Sequence, residues 1–187
     1  MRSGALVFPA IERIVYGKPA AEALNEEAER LGAQRIFMIV SGTMNRSTDE
    51  VAKVREALGG RFAGEYDRMP PHTPRDAVLA AAAAARAVDA DLIVTFGGGS
   101  CTDAGKMLQI CLRHDIRALD DFERFRTVVK ADGTRTMPAL AAPAVRQVAI
   151  PTTLSAGEFN ASAGCTDTRV KAKHSYRHPL VVPRTTI

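Results

Sequence analysis

The sequence predicts an α/β fold, a Rossmann-like parallel sheet with helices on both faces. Three observations carry that prediction. Short apolar runs rich in β-formers recur, as in "RIFMIVSG", "DLIVTF" and "RQVAIPTT". Segments with helical spacing alternate with them, which implies parallel strands joined by right-handed crossovers. Each run ends in Gly, Ser, Thr or Pro, and in such sheets ligands bind at the carboxyl ends of the strands. The loops Ser41–Asn45, Gly97–Ser100 and Pro151–Ser155 stand at three such ends.

The elements follow in chain order. "AAEALNEEAERLG" places Ala21, Leu24, Ala28 and Leu31 on one helical face, and Gly32 stops the helix. "RIFMIVSG" is a buried strand. "STDEVAKVREALGG" is a second helix, with Ser47 or Thr48 as its cap, acids in its first turn and glycines at its end. "RFAGEY" is a weak strand. In "TPRDAVLAAAAAARAVDA", Thr73 is read as the cap and Pro74 as the first helical residue. Its alanines favour a helix packed closely on the sheet. "DLIVTF" is a strand, Gly97 to Gly99 turn the chain, and a helix opens at Ser100 and runs to about Leu112.

From about 113 to 143 the pattern weakens into a surface excursion with turn signals at Asp132-Gly133 and Met137-Pro138. "RQVAIPTT" is a strand that stops at Pro151. The tail, about 160–187, reads as short strands in an irregular or hairpin arrangement. The expected organisation is one domain over residues 1–187.

Composition bounds the function classes. The 187 residues suffice for one good core, or one domain plus part of another. Aromatics are 5% and Trp is absent, so Ala, Leu, Val and Ile must fill the interior. The net charge of +4 is dispersed, with only local groups at Arg124/Arg126 and Lys171/Lys173; this is no nucleic-acid arm. Cys101, Cys111 and Cys165 form no CxxC pair, which suits buried apolar roles in a reducing, cytoplasmic setting. Residues 1–17 have no continuous apolar stretch of the kind a secretion leader needs, and no run approaches a membrane span.

Chemistry alone leaves the glycine loop open between two readings. Gly97, Gly98, Gly99 and Ser100 remove side chains where a ligand would approach, and the following helix offers free N–H groups and its positive dipole end to a pyrophosphate. A tight structural turn uses the same residues. The loop matches neither GxGxxG nor the P-loop GxxxxGK[ST]. Ser100 is a cap or a phosphate donor; Lys106 adds charge or faces solvent. Thr152 and Thr153 are ligand hydroxyls or ordinary turn residues. His174 and His178 have helical metal-ligand spacing, but "HSYRHP" is poorly helical and Pro179 blocks it. No metal site and no catalytic set is assigned. His72 and His114 are isolated.

Two motifs together carry a resemblance. "GGGSCTDAGK" resembles the GGGSxxDxxK signature of the iron-containing (group III) alcohol dehydrogenase family, and "IPTTLSAGEFNASAGCTD" resembles that family's second signature, in the same order. "PTTLSAGEF" and the upstream "HTPRDAV" are most similar to its maleylacetate-reductase-like branch. The resemblance runs from Glu12–Gly17 to His178–Pro183.

It implies an N-terminal domain binding NAD(H) or NADP(H), with the pyrophosphate at Gly97, Gly98, Gly99 and Ser100. Asp103 and Lys106 match the signature's Asp and Lys. Thr152 and Thr153 match cofactor-contacting threonines, with Ser155 near them; Lys173 matches a lysine near the ribose, and His72 a position beside the adenosine. Many relatives end the second strand with Thr-Asp, the acid holding the ribose hydroxyls. Here the residues are Ser41-Gly42, followed by Thr43, with Arg46 close by. Loss of that carboxylate implies that NADP(H) is tolerated.

The resemblance also implies hydride transfer to or from a small alcohol, aldehyde or keto acid, with a divalent metal, iron or zinc, held in a separate helical domain by an Asp-x-x-x-His pair and two later histidines. No such pair occurs before Ile187, so the chain alone is expected to lack dehydrogenase activity, and the full-length form is expected to be a homodimer. Two alternatives stand beside this reading: a dehydroquinate-synthase-like lyase domain, and a non-catalytic nucleotide-binding module.

Overall fold

The computed structural model describes residues 10–187. The reading of a leader rests largely on residues 1–9, outside the described residues. Six parallel strands form the central sheet. They are β1 (Arg13–Ile14), β2 (Ile36–Val40), β3 (Phe62–Tyr66), β4 (Leu92–Gly97), β7 (Arg146–Pro151) and β10 (Thr185–Thr186), in the order β1-β10-β7-β4-β2-β3. Among the described residues five α-helices accompany it: α1 (Ala20–Leu31), α2 (Gly42–Ser47), α3 (Glu50–Leu58), α4 (Arg75–Ala87) and α5 (Gly99–His114). Two antiparallel hairpins stand outside the sheet, one of β5 (Val128–Val129) with β6 (Arg135–Thr136), the other of β8 (Ser162–Asp167) with β9 (Ala172–Arg177).

Both faces of the sheet are covered, and strand alternation assigns them. Ile36, Met38 and Val40 of β2 pack with Leu24 and Ala28 of α1 and Val51 and Val54 of α3. Phe37 and Ile39 point the other way, onto Val78 and Ala82 of α4 and Met107 and Leu108 of α5. The alanine run does what its composition suggested: Ala81, Ala82 and Ala85 are completely buried.

Helix α5 approaches the sheet more closely still. A Cβ at Gly105 would run into Thr95 Cγ2 and lie 2.7 Å from Gln147 Nε2. Below it Gln147 donates to Thr95 Oγ1 at 2.8 Å, and Gln109 donates to Gln147 Oε1 at 3.2 Å and to the Val181 carbonyl at 2.8 Å. These side chains are buried, where an unpaired amide would cost about 1–3 kcal/mol.

Several expectations shift. The loop after β2 is a short helix, because the Ser41 hydroxyl accepts the Met44 N–H and starts α2 there. Asp49, not Ser47 or Thr48, precedes α3. Thr73 does not cap α4: its hydroxyl donates to the Ser100 carbonyl at 3.1 Å, and Pro74 accepts the first helical bond. The turn at Asp132-Gly133 forms as read, with Gly133 at φ +82° and Asp132 accepting from the Thr134 N–H. The tail contains the β8–β9 hairpin, but it also returns to the sheet as β10, between β1 and β7. Burying Glu27 accompanies that return: it bonds Arg13 at 2.7 Å, Arg30 at 2.8 Å and the Thr185 hydroxyl at 2.7 Å.

The β8–β9 hairpin is tied to α4 by Arg75, which is 1% exposed. Its guanidinium reaches Asp167 at 2.8 Å, Glu123 at 2.7 Å, Tyr176 Oη at 2.9 Å and His174 Nδ1 at 2.7 Å. Arginine has only donors, so His174 must accept through Nδ1 as a neutral ring. Burial, and then the charge of Arg75, hold its pKa below the usual histidine value.

Two outcomes follow from these contacts. Gly105→Ala gains helix propensity of about 1 kcal/mol, yet overpacking against Thr95 and Gln147 outweighs it. A net loss of roughly 1–3 kcal/mol is expected in a urea unfolding midpoint. For His174, the unfolded ring binds protons at a higher pH than the folded one. Its contribution is therefore full above about pH 6.5 and is lost as pH falls below that value. His174→Gln should flatten the fall in stability between about pH 7 and 5; an unchanged slope assigns that loss elsewhere.

Candidate functional site

The strand order reverses between β2 and β4. The chain runs from β2 outward to β3, then returns to the far side of β2 and continues through β7. At such a switch point the loops diverge and leave a crevice. It is present here as a cleft of about 470 Å³ lined from the loops after three strands: Ser41, Gly42, Thr43 and Arg46 after β2, Asp67 to Met69 after β3, and Gly98 to Cys101 after β4.

The glycine turn forms its floor. Gly98 is extended, with φ −79° and ψ −169°, and α5 starts at Gly99. The Gly98 carbonyl accepts the N–H groups of Cys101 and Thr102 at 3.0 and 3.1 Å. The N–H groups of Gly99 and Ser100 precede the helix's own bonding and sit at its positive end. The loop after β7 folds over this turn: Thr152 N–H donates to the Gly97 carbonyl at 3.0 Å. A Cβ at Gly98 would lie 3.1 Å from Thr153 Cγ2, and one at Gly99 3.2 Å from Ser155 Cβ. The glycines are thus needed for close approach of two loops. Thr152, Thr153 and Ser155 are exposed.

A third loop is fastened to the helix start. His72 and Thr73 both have positive φ, +66° and +54°, an unfavourable region for side-chain-bearing residues. Four bonds hold them there. The His72 N–H donates to Ser100 Oγ at 3.1 Å and Thr73 Oγ1 donates to the Ser100 carbonyl. Thr166 donates its N–H to the Thr73 carbonyl at 3.0 Å and its hydroxyl to the His72 carbonyl at 2.8 Å. Ser100 is therefore not the helix cap; its hydroxyl oxygen accepts from the His72 turn and keeps its proton to donate.

Gly42 is packed as tightly. A Cβ there would lie 2.6 Å from the Asp67 carbonyl and 2.9 Å from Arg46 Nη1. An acid cannot be placed at this strand end without moving the neighbouring loop. Asp67 itself is steadied by Asn45, whose Nδ2 donates to Oδ2 at 3.0 Å. Arg68 stacks over Tyr66, 5.6 Å from the ring centroid.

Asp103, Lys106 and Lys173 gather elsewhere, in a separate cleft of about 310 Å³ with Gly157 and Ser162. Lys106 corrects the expectation of an exposed or charge-donating side chain: it is completely buried. Its ammonium donates to the Gly157 carbonyl at 2.5 Å and the Ser162 carbonyl at 2.8 Å, and lies 3.5 Å from Asp103. Burial lowers its pKa, opposed by Asp103. Asp103 accepts the Gly164 N–H at 3.1 Å, and Lys173 lies over Gly164. These residues brace the loops after β7.

The cysteines are buried free thiols, and burial pushes Cys101 up to about 11 and Cys165 up to about 12. His174 and His178 do not pair: one bonds Arg75, and the other accepts the Leu180 N–H at 3.0 Å. Among the described residues no group of three or more His, Cys, Asp or Glu could hold a metal, and no helix is long and apolar enough to cross a membrane. Sequence reasoning missed Asp67, Arg68 and Met69. The strand-end rule, applied to "RFAGEY" as well, would have found them.

Comparison with known proteins agrees with this geometry. The profile of the family described as iron-containing alcohol dehydrogenase matches residues 11–187. The dehydrogenase FUM7 of Gibberella moniliformis is 31% identical over 158 residues, 83% of this chain and 37% of that protein. Maleylacetate reductase 1 of Cupriavidus pinatubonensis is 29% identical over 175 residues, 94% of this chain and 39% of that one. Among solved structures, maleylacetate reductase from Rhizobium sp. superposes with a TM-score of 0.72 at 27% identity, covering 99% of this chain and 43% of that chain. The sulfoacetaldehyde reductase of Bifidobacterium kashiwanohense, solved in complex with NAD+, shares the fold with a TM-score of 0.81 at 20% identity, over 100% of this chain and 46% of that one. The chain thus spans about two fifths of the length of these curated relatives. By a family profile matched over almost all of its length, this chain belongs to the iron-containing alcohol dehydrogenase family.

Proposed function

We propose that this chain is the nicotinamide-dinucleotide-binding part of an oxidoreductase that moves hydride between nicotinamide and a small alcohol, aldehyde or keto acid. The observation that carries the reading is the cradle at the switch point, where a Cβ at Gly98 or Gly99 would crowd Thr153 and Ser155 at 3.1 and 3.2 Å. A pyrophosphate can approach the Gly99 and Ser100 N–H groups there and meet the positive end of a sixteen-residue helix.

Roles follow for this chain's residues. Gly97 to Ser100 bind the pyrophosphate. Thr152, Thr153 and Ser155 contact the cofactor from the β7 side. Gly42, Thr43 and the His72 turn face the adenosine. Lys173 stands near a ribose, while Asp103 and Lys106 act indirectly, by holding the loops in place. The chemistry a divalent metal would supply to such a reaction is that of a Lewis acid toward the substrate oxygen. The described residues do not fit such a metal, so its ligands are assigned to the part of the relatives' length that this chain does not span. Residues 1–187 then form one cofactor-binding unit, with little or no dehydrogenase turnover by themselves.

We infer that the site also tolerates NADP(H). Gly42 leaves no acid against a 2′-phosphate, and the Arg46 guanidinium occupies that space. Among the described residues Arg46 forms no ion pair, whereas Arg55 is paired with Glu65 at 2.8 Å. Asp67 opposes this charge from the next strand.

Paired titrations with NADPH and NADH test the reading. NADPH should bind within tenfold of NADH or tighter, and Arg46→Ala should weaken NADPH by about 1–2 kcal/mol, or roughly 5- to 30-fold, with NADH changed by less than about twofold. Absence of binding by either dinucleotide overturns the proposed function; NADH at least tenfold tighter overturns only the 2′-phosphate assignment. Turnover of an alcohol by the 187-residue chain with added iron or zinc would contradict the division of labour.

A further inference from the structure

A second concavity, of about 440 Å³, lies between β9 and the β5–β6 hairpin and shares no lining residue with the switch-point cleft. Strand periodicity builds it. Lys173, Ser175 and Arg177 fall on one face of β9, while the alternate residue Tyr176 is buried. On the hairpin, Val129 and Arg135 are cross-strand partners, and Met137 lies two residues beyond Arg135. The Thr127 N–H donates to the Ser175 carbonyl at 2.7 Å and holds the two walls together.

The charge in this groove is one-sided. Arg126, Arg135, Lys173 and Arg177 all line it, and no carboxylate does. Arg126 reaches Glu123 at 2.5 Å, but Glu123 is shared with the buried Arg75 at 2.7 Å. Lys173 has only Asp103, at 3.8 Å. Among the described residues Arg135 and Arg177 form no ion pair. Four like charges around one concavity repel each other and favour an anion between them. The groove is not purely polar: Val129 is 61% exposed and Met137 is 56% exposed within it.

We propose that this groove binds a small molecule carrying two or more carboxylate or phosphate groups on a short apolar stem. Guanidinium forks match either oxyanion in bidentate fashion, and four cations exceed what a monoanion needs. Val129 and Met137 cover the stem. The groove lies apart from the glycine cradle and shares only Lys173 with the residues assigned to the dinucleotide.

Isothermal titration of the purified protein at about 0.15 M salt, where weak surface attraction is screened, tests the site. The probes are citrate, inorganic pyrophosphate and acetate. The variants are Arg135→Gln/Arg177→Gln, which alters two exposed side chains outside the core, and Gly98→Val, which fills the dinucleotide cradle. Saturable one-to-one binding of citrate or pyrophosphate is expected, at least tenfold tighter than acetate. The arginine double variant should weaken it at least fivefold, and Gly98→Val, which also removes any pyrophosphate held in the glycine cradle, should change citrate binding, and pyrophosphate binding to the groove, less than twofold. Citrate alone meeting these conditions identifies a carboxylate ligand, pyrophosphate alone a phosphate ligand. Failure of both probes to bind, a double variant weakened less than fivefold, or complete loss of citrate and pyrophosphate binding in Gly98→Val overturns the proposal.

Discussion

Much of this molecule depends on how closely α5 sits against the sheet. Gly105 allows the helix to touch Thr95 and Gln147 directly, and Gln109 donates to Gln147, which donates in turn to Thr95 across that contact. The helix start is thereby fixed at the end of β4, where the strand order reverses. Its positive end, the glycine turn and the loops after β2, β3 and β7 then face one crevice. A helix set further out would leave the same glycines in an ordinary turn.

Charged side chains in this fold act mostly as fasteners. Lys106 is fully buried and joins a carbonyl of the β7–β8 connection to one at the start of β8; Arg75 joins α4 to the β8–β9 hairpin; Glu27 joins α1 to β1 and β10. Each removes an ionic group from water, so removing one partner leaves a costly unpaired charge. They hold in place loops whose few apolar residues could not anchor them; Leu154 and Phe159 of the β7–β8 connection remain exposed. The strained backbone at His72 and Thr73 belongs to the same pattern, held by Ser100 on one side and Thr166 on the other.

The layers and most elements were legible in the sequence, because burial on both faces imposes continuous apolar strands and periodic helices. "RIFMIV", "DLIVTF" and the alanine helix needed no further information. The glycine loop was legible as a place, through its position after a strand and before a helix. Polar side chains were not legible in the same way. Lys106 and Arg75 look like surface residues in a linear chain, since nothing local reveals carbonyls and carboxylates that arrive from fifty or more residues away. Asp67 and Arg68 escaped notice because "RFAGEY" has a weak strand pattern.

By itself the sequence determined the α/β class, the strand-end loops and, through two paired motifs, the family to which the chain belongs. Those features depend on local periodicity and on residue types at fixed spacing. Tertiary structure alone decided which loops meet. It placed Thr153 and Ser155 over the glycine turn, closed Gly42 against Asp67 and Arg46, buried Lys106, and returned the tail to the sheet as β10. Such contacts are set by the order of strands in the sheet and the closeness of helix packing, and neither is written in any short stretch of chain.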